Sequence, residues 1–193
     1  MPGAEKGRRW AKKIGNSHPA NDAISPGIMA SAFWHDARLY IGAAKILIDN
    51  EAASHIGLKP TYFLLTHALE LTFKAYLAAR EWDYDRLLRL SHDVQRAYTK
   101  ARGLGLRIEG EHSQRLIRIL SEFHRMHVFR YSPVTDDGSV IEPGALVPAS
   151  DVFNVVADIH RRIQAPVFAA RFKDVKGKTY SVETWHMGNP SKP

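Results

Sequence analysis

The sequence predicts a mostly α-helical protein built around one very apolar helix, Pro60 to Arg80. Three observations support this fold class. That segment is apolar around most of its circumference, which is typical of the central helix of a bundle. Flanking segments repeat apolar residues at helical spacing. The 193 residues are 45% hydrophobic and 24% charged, which suits one globular domain with tails and a sizeable core.

The composition also excludes several classes of protein. The chain has no cysteine, which excludes disulfides, thiolate nucleophiles and Cys-ligated zinc. No apolar run approaches the roughly 18 residues that a membrane span needs. The N-terminal segment is basic and polar, without the hydrophobic core of a signal peptide. We therefore predict a cytoplasmic protein that does not enter a membrane.

The formal net charge of +7 is concentrated at the two ends of the chain. Residues 1–13 carry a net +4 and residues 160–193 a net +5, which leaves −2 for the stretch between them. Basic arms of this kind bind phosphate backbones without sequence preference. The alternative is that the charged ends only keep the protein soluble.

The chain begins with a predicted mobile basic arm, residues 1–25, which is rich in Gly, Pro, Asn, Ser and Lys. Ser25 and Pro26 then supply an N-cap and a favourable first helical residue. They open a long amphipathic helix that is predicted to end near Glu51. After a short connection, Pro60 starts the apolar helix.

The remaining elements complete a helical domain over residues 26–165, with a turn-rich insertion at 134–149. Ser91 and Ser150 are predicted N-caps, and Gly103 and Gly105 form a helix-termination signal. Residues 166–193 are predicted to be a basic tail, either irregular or a short β-hairpin. The predicted segments are a short Asp83–Leu90, helices His92–Arg102, Glu111–His127 and Ser150–Gln164, and hairpin strands Val167–Phe172 and Lys178–Trp185.

The apolar helix has a single polar stripe, formed by His67, Glu70 and Lys74 at spacings of three and four. Unpaired burial of these charges is costly, so they must face a pocket, an interface or each other. One interpretation is a pocket for a nucleotide or an RNA phosphate, and the other is a solvated seam or an ion pair at a dimer interface. His-x-x-Glu reverses the order used by di-iron bundles, so we predict neither a metal nor a cofactor. His92 and Asp93 offer further ligands or a helix cap, and capping is favoured.

Three segments carry a family resemblance: HALELTFKAYLAAR at 67–80, RLLRLSHDV at 86–94 and FRYSP at 129–133. They resemble bacterial HEPN (higher eukaryotes and prokaryotes nucleotide-binding) proteins. In that family a helical bundle carries a similar ALE…K…L helix, a short downstream helix with HD, and a final RY. The similarity covers residues 28–133.

The resemblance implies a fold, an assembly and a class of function. The expected fold is an antiparallel four- to five-helix bundle, and the expected assembly is a homodimer. Many family members act with nucleic acids or nucleotides. The leading hypothesis is therefore a HEPN-like protein that associates with RNA or a nucleotide, in a toxin–antitoxin or defence system with a cognate antitoxin or other partner protein. A non-catalytic interaction module that dimerises through the apolar helix is an alternative.

A second alternative is metal-independent RNA cleavage, which some HEPN proteins carry out at a composite site between two chains. Their signature is an Arg, followed after four to six residues by a His, with a polar residue after the Arg. The spacing occurs at Arg86–His92, Arg107–His112 and Arg118–His124, about as often as the roughly 2.5 matches that chance predicts. An apolar residue follows the Arg in all three. The sequence therefore leaves enzymatic activity open.

If the chain is a ribonuclease, the candidate catalytic residues are Arg118, His124 and His127. In the family, His and Arg help a ribose 2′-OH attack the adjacent phosphate and stabilise the transition-state charge. Together with Arg130, these residues would form a phosphate-binding corner that faces the polar stripe of the apolar helix. The simpler explanation is that cations favour the C-terminal end of a helix.

Overall fold

We describe residues 24–50, 58–129, 137–138 and 147–176 from a computed structural model of the protein. The described residues are mostly helical and contain no β-strand, which confirms the predicted helical bundle class. Their helices, in chain order, are α1 (Pro26–Asp49), α2 (Leu58–Ala79), α3 (Tyr84–Leu88), α4 (Val94–Gly103), α5 (Glu111–Arg125), α6 (Ala149–Arg162) and α7 (Gln164–Val175).

Helix α2 is the centre of the fold, as the sequence predicted. It contacts every other described helix, and its side chains dominate the buried core. Most of its apolar side chains therefore pack inside this chain. The fully buried residues of α2 include Leu65, Ala68, Leu69, Phe73, Ala75, Leu77 and Ala78.

Helix α1 begins where the sequence placed it, with Pro26 in the first turn, where its missing N–H costs no hydrogen bond. Ser25 occupies the N-cap position, but its side chain makes no capping hydrogen bond. The backbone N–H of Gly27 instead donates to Asp174 Oδ2 of α7 at 2.5 Å. A side chain at position 27 would collide with the backbone carbonyl of Ala170, so this close approach of α1 and α7 requires glycine.

The start of α4 corrects one prediction. Asp93, not Ser91, is the N-cap residue, and its carboxylate accepts a hydrogen bond from Arg96 N at 2.8 Å. Ser91 lies in a turn with a positive φ of 51°. A carboxylate is a strong acceptor for the free N–H groups of a first turn, so Asp93 displaces the serine from this role. Helix α4 ends as predicted, with Gly105 at φ +96°.

The C-terminal region corrects two more predictions. Ser150 lies inside α6, whose N-cap position is occupied by Pro148. The proposed first strand of the hairpin, Val167–Phe172, is part of α7. Pro166 lies beyond the end of α6 and in the first turn of α7, where proline is tolerated because no N–H is needed.

Several predicted segments lie outside the described residues. They are the N-terminal arm up to residue 23, most of the turn-rich insertion and the second hairpin strand, 178–185. Within the described part of the chain, no helix combines the length and the apolar character that crossing a bilayer would require.

Candidate functional site

The centre of the site is the carboxylate of Glu70, which is only 1% exposed in the middle of α2. Lys74, one turn further along the helix, donates from Nζ to Glu70 Oε1 at 2.7 Å. The same ammonium donates to the backbone carbonyl of Ser91 at 2.8 Å. The predicted pair is therefore not a solvated seam, because one partner is fully buried and the other is tied to the turn before α4.

Three histidines surround the other carboxylate oxygen, Glu70 Oε2. His92 Nδ1 lies 3.2 Å away, His124 Nε2 3.5 Å and His67 Nδ1 3.6 Å. They come from the turn before α4, the last turn of α5 and the preceding turn of α2. We call Glu70, Lys74 and these three histidines the Glu70 cluster.

The histidine contacts to Glu70 differ in quality. His92 is within hydrogen-bond distance of the carboxylate. His67 and His124 lie at the outer limit for a hydrogen bond. Their facing nitrogens are buried and have no hydrogen-bond partner within residues 24–50, 58–129, 137–138 and 147–176. These two contacts are therefore electrostatic rather than well-formed hydrogen bonds. Buried nitrogens of this kind are uncommon in folded proteins and point to an additional partner.

Aromatic side chains fix the orientation of the buried imidazoles. Tyr40 of α1 packs edge-on against His67, with ring centroids 4.7 Å apart. Phe63 stacks on His67 at 6.0 Å and on His124 at 6.3 Å. The rings of His67 and His124 are thus held on one side of Glu70 by apolar packing, independently of their polar contacts.

The electrostatics of the cluster keep Glu70 ionised. Burial by itself raises the pKa of Glu70, but the nearby His124, His67 and Lys74 outweigh it and hold that pKa far below its usual range. Glu70 is therefore an anion at neutral pH. It can accept hydrogen bonds or bind a cation, but it is a poor proton donor.

The structure separates the candidate catalytic residues. His124 is buried against Glu70, whereas Arg118 of the same helix is exposed and lines a groove on the α4 side. His127 is exposed beyond the end of α5, with φ 58°. Arg130 lies outside the described residues. Within one chain, His124 therefore joins the predicted polar stripe, while Arg118 and His127 do not join it.

The groove that Arg118 lines runs between α4 and α5 and encloses about 540 Å³. Arg118 and Lys100 have no ion-pair partner among the described residues, and Arg125 pairs with Glu122 at 2.5 Å. The groove borders the Glu70 cluster, because two of its residues directly follow His92 and His124 in the chain. Its lining consists of Asp93, Gln95, Arg96, Thr99, Lys100, Arg118, Ser121, Glu122 and Arg125.

The structure gives His92 a different role from the one that the sequence suggested. The sequence favoured capping over ligation for His92 and Asp93. Asp93 does cap α4, whereas His92 turns to Glu70. The three residues Glu70, His92 and His124 place their ligand atoms within 4.8 Å of one another, as a metal ion would require. Residues separated by 22 and 54 positions give no spacing signal, so no sequence pattern could have revealed this set.

Comparisons of the chain with protein-family models, with curated proteins and with solved structures gave no match.

Proposed function

We propose that this is a HEPN-like, nucleic-acid-associated protein that binds RNA phosphates along the groove between α4 and α5. The observation that carries the proposal is the set of cations in that groove, Arg96, Lys100 and Arg118. Binding of phosphates by unpaired Arg and Lys is driven by charge and by release of counterions. A toxin–antitoxin or defence setting, with a cognate antitoxin, comes from the family resemblance.

The charges in the groove support an anionic ligand. Four of its lining residues are basic and two are acidic. Asp93 is occupied in capping α4, and Glu122 pairs with Arg125. Arg96 donates from its guanidinium to the backbone carbonyl of Arg89 at 3.1 Å. The other two cations, Lys100 and Arg118, have no ion-pair partner among the described residues and lie on facing helices, so an extended phosphate chain could contact both at once.

The test is RNA binding by the full chain, measured by fluorescence anisotropy with a labelled single-stranded oligonucleotide at several salt concentrations. Lys100→Gln and Arg118→Gln should each weaken binding and reduce the slope of log K against log salt by roughly 0.7 to 1. Arg115→Gln is the matched control, because it removes the same charge from α5 outside the groove. Equal losses in all three variants would show net charge attraction only and would overturn the proposal.

The contribution of the basic N-terminal segment is measured separately, with a truncated chain in the same assay. A chain lacking residues 1–13 should keep the effects of Lys100→Gln and Arg118→Gln. If that truncation abolishes binding while both groove variants still bind normally in the full chain, the affinity belongs to the N-terminal arm and the groove proposal fails.

The ribonuclease alternative requires Arg118 and a histidine to reach one phosphate. In a single chain His124 is buried in the Glu70 cluster and Arg118 lies in the groove, so a second chain would have to complete the site. RNA cleavage that persists in a His124→Ala, His127→Ala double variant would exclude these histidines from the chemistry.

A second candidate function is homodimerisation, and it is favoured by an exposed apolar stripe on α1. Leu39 is 56% exposed and Ile46 is 70% exposed, with Gly42 and Ala43 exposed between them. A second copy of the chain would bury this stripe against its own, as in an isologous dimer. Light scattering should show a dimer that Leu39→Asp or Ile46→Asp converts to a monomer, while Leu88→Asp, at a site exposed on α3, should have no effect.

A further inference from the structure

We propose that Glu70, His92 and His124 bind a divalent transition-metal ion of the Zn²⁺ class. This site is distinct from the RNA groove of the proposed function, because none of the three residues lines that groove. Two imidazoles and one carboxylate are a common donor set for zinc with an open coordination position. The chain lacks cysteine, so His and carboxylate are the ligands through which it could hold such an ion.

The distances between the donor atoms match a tetrahedral site. Zinc binds imidazole nitrogen and carboxylate oxygen at roughly 2.0–2.2 Å, so neighbouring donors of a regular tetrahedron lie roughly 3.3–3.6 Å apart. Glu70 Oε2 lies 3.2 Å from His92 Nδ1 and 3.5 Å from His124 Nε2. All three ligand atoms lie within 4.8 Å of one another. An ion could therefore enter with only small movements of the side chains.

The second observation is the buried Nε2 of His124. This nitrogen faces the carboxylate but has no hydrogen-bond partner among the described residues, and the residue is only 4% exposed. A buried polar atom left unpaired is destabilising, and coordination to a metal would satisfy its lone pair. His67 Nδ1 is also buried, has no hydrogen-bond partner in the described part of the chain and lies 3.6 Å from the same oxygen.

The surroundings of the three ligands suit this role. Lys74 holds the other carboxylate oxygen, Oε1, and so leaves Oε2 directed at the histidines. Carboxylates and imidazoles that bind a metal are typically held in place by hydrogen bonds and packing from the residues around them. The side chain of His92 is 57% exposed, which gives an ion a path from solvent to the buried Glu70.

The test is binding of Zn²⁺ alone to the metal-free full chain, measured by isothermal titration calorimetry. We expect one saturable site per chain and a rise in the melting temperature with zinc concentration. His92→Ala should lower the affinity at least about 100-fold, which exceeds the usual loss from removing a residue behind the ligands. Because His92 is exposed, this variant should fold normally. His112→Ala, which removes an exposed histidine of α5, is the matched control and should bind as the wild type does.

Co²⁺ provides an independent readout, since a tetrahedral site gives intense visible absorption that His124→Ala should abolish. Zinc binding that is unchanged in both His92→Ala and His124→Ala would belong to other histidines and would overturn the proposal. Absence of a saturable site in the wild type would overturn it as well. Arg118→Gln should leave zinc binding unchanged, so a failure of the metal site and a failure of the RNA groove can be told apart.

Discussion

Helix α2 carries two buried polar sites that are stabilised in opposite ways. The Glu70 cluster faces α4 and α5, and the second site joins Thr72, two residues further on, to His160 of α6. Both are deeply buried, with Glu70 1% and His160 7% exposed. The first contains a full negative charge that is surrounded by basic groups. The second contains an imidazole that contacts a hydroxyl and stacks on an aromatic ring.

The second site keeps its histidine neutral. The ring of Trp34 stacks on His160 with centroids 4.8 Å apart, and Thr72 Oγ1 lies 3.3 Å from His160 Nδ1. Burial, together with the nearby charge of Arg38, lowers the pKa of His160 to about 4. The comparison shows that one helix can bury an ion only where neighbouring elements supply opposite charge. Where they supply apolar surface, the buried group must give up its charge.

Removing the charge of Glu70 should have the largest effect on stability. Glu70→Ala leaves the Lys74 ammonium without its buried counter-charge and removes the carboxylate that faces the three histidines. Breaking a buried ion pair from one side typically costs about 3–5 kcal/mol, and we expect a loss of this size in the free energy of unfolding. Urea denaturation at pH 7 measures it.

The matched control for that experiment is Glu122→Ala, which breaks the exposed pair with Arg125 on α5. It should cost about 1 kcal/mol or less. The double variant Glu70→Leu, Lys74→Leu should recover part of the loss, because both charges are then absent. If Glu70→Ala and Glu122→Ala are equally mild, Glu70 does not carry the buried charge that we describe.

The sequence predicted one half of the Glu70 cluster and could not predict the other. His67, Glu70 and Lys74 belong to one helix, where spacings of three and four place side chains on the same face. His92 and His124 reach Glu70 only because α4 and α5 pack on α2, and this depends on tertiary structure. The sequence around Pro166 is ambiguous in the same way. A proline after the end of one helix and a proline in the first turn of the next give the same local signal, and Pro166 is both.

The pH dependence of stability should separate the two sites. The folded-state pKa of His160, about 4, lies below its ordinary value of 6.5, so the unfolded chain takes up a proton first as the pH falls. The stability associated with neutral His160 is complete above pH 6.5 and is lost between pH 6.5 and 4, by at most about 3 kcal/mol.

His160→Phe keeps the ring that stacks on Trp34 and removes the titrating group. Relative to wild type, this variant should therefore gain stability as the pH is lowered from 7 to 4, in urea titrations at each pH. The lowered pKa of Glu70 acts in the same direction but below pH 4.5, and it is present in both proteins, so it cancels in the difference. A constant difference across the range would contradict a buried neutral imidazole.

The contact between Thr72 and His160 should have a smaller effect. Thr72→Val keeps the side-chain shape and removes the hydroxyl that faces His160 Nδ1. The expected cost is about 1 kcal/mol, typical of one buried hydrogen bond between neutral groups. Thr66→Val on the same helix is the control, because its hydroxyl donates to the carbonyl of Tyr62 one turn earlier. Its loss in thermal or urea unfolding should be smaller than that of Thr72→Val.

The smallest effect is expected at Lys45–Asp49, which repeats the spacing of Glu70–Lys74 on the exposed side of α1. Its atoms are as close, 2.5 Å against 2.7 Å, but its side chains are 48% and 58% exposed. The order of the charges is also reversed, with the base before the acid, which is the weaker orientation in a helix. Asp49→Asn should therefore change the free energy of unfolding by no more than about 0.5 kcal/mol. A cost comparable to that of Glu70→Ala would mean that distance, rather than burial and the surrounding charge, determines the strength of both pairs.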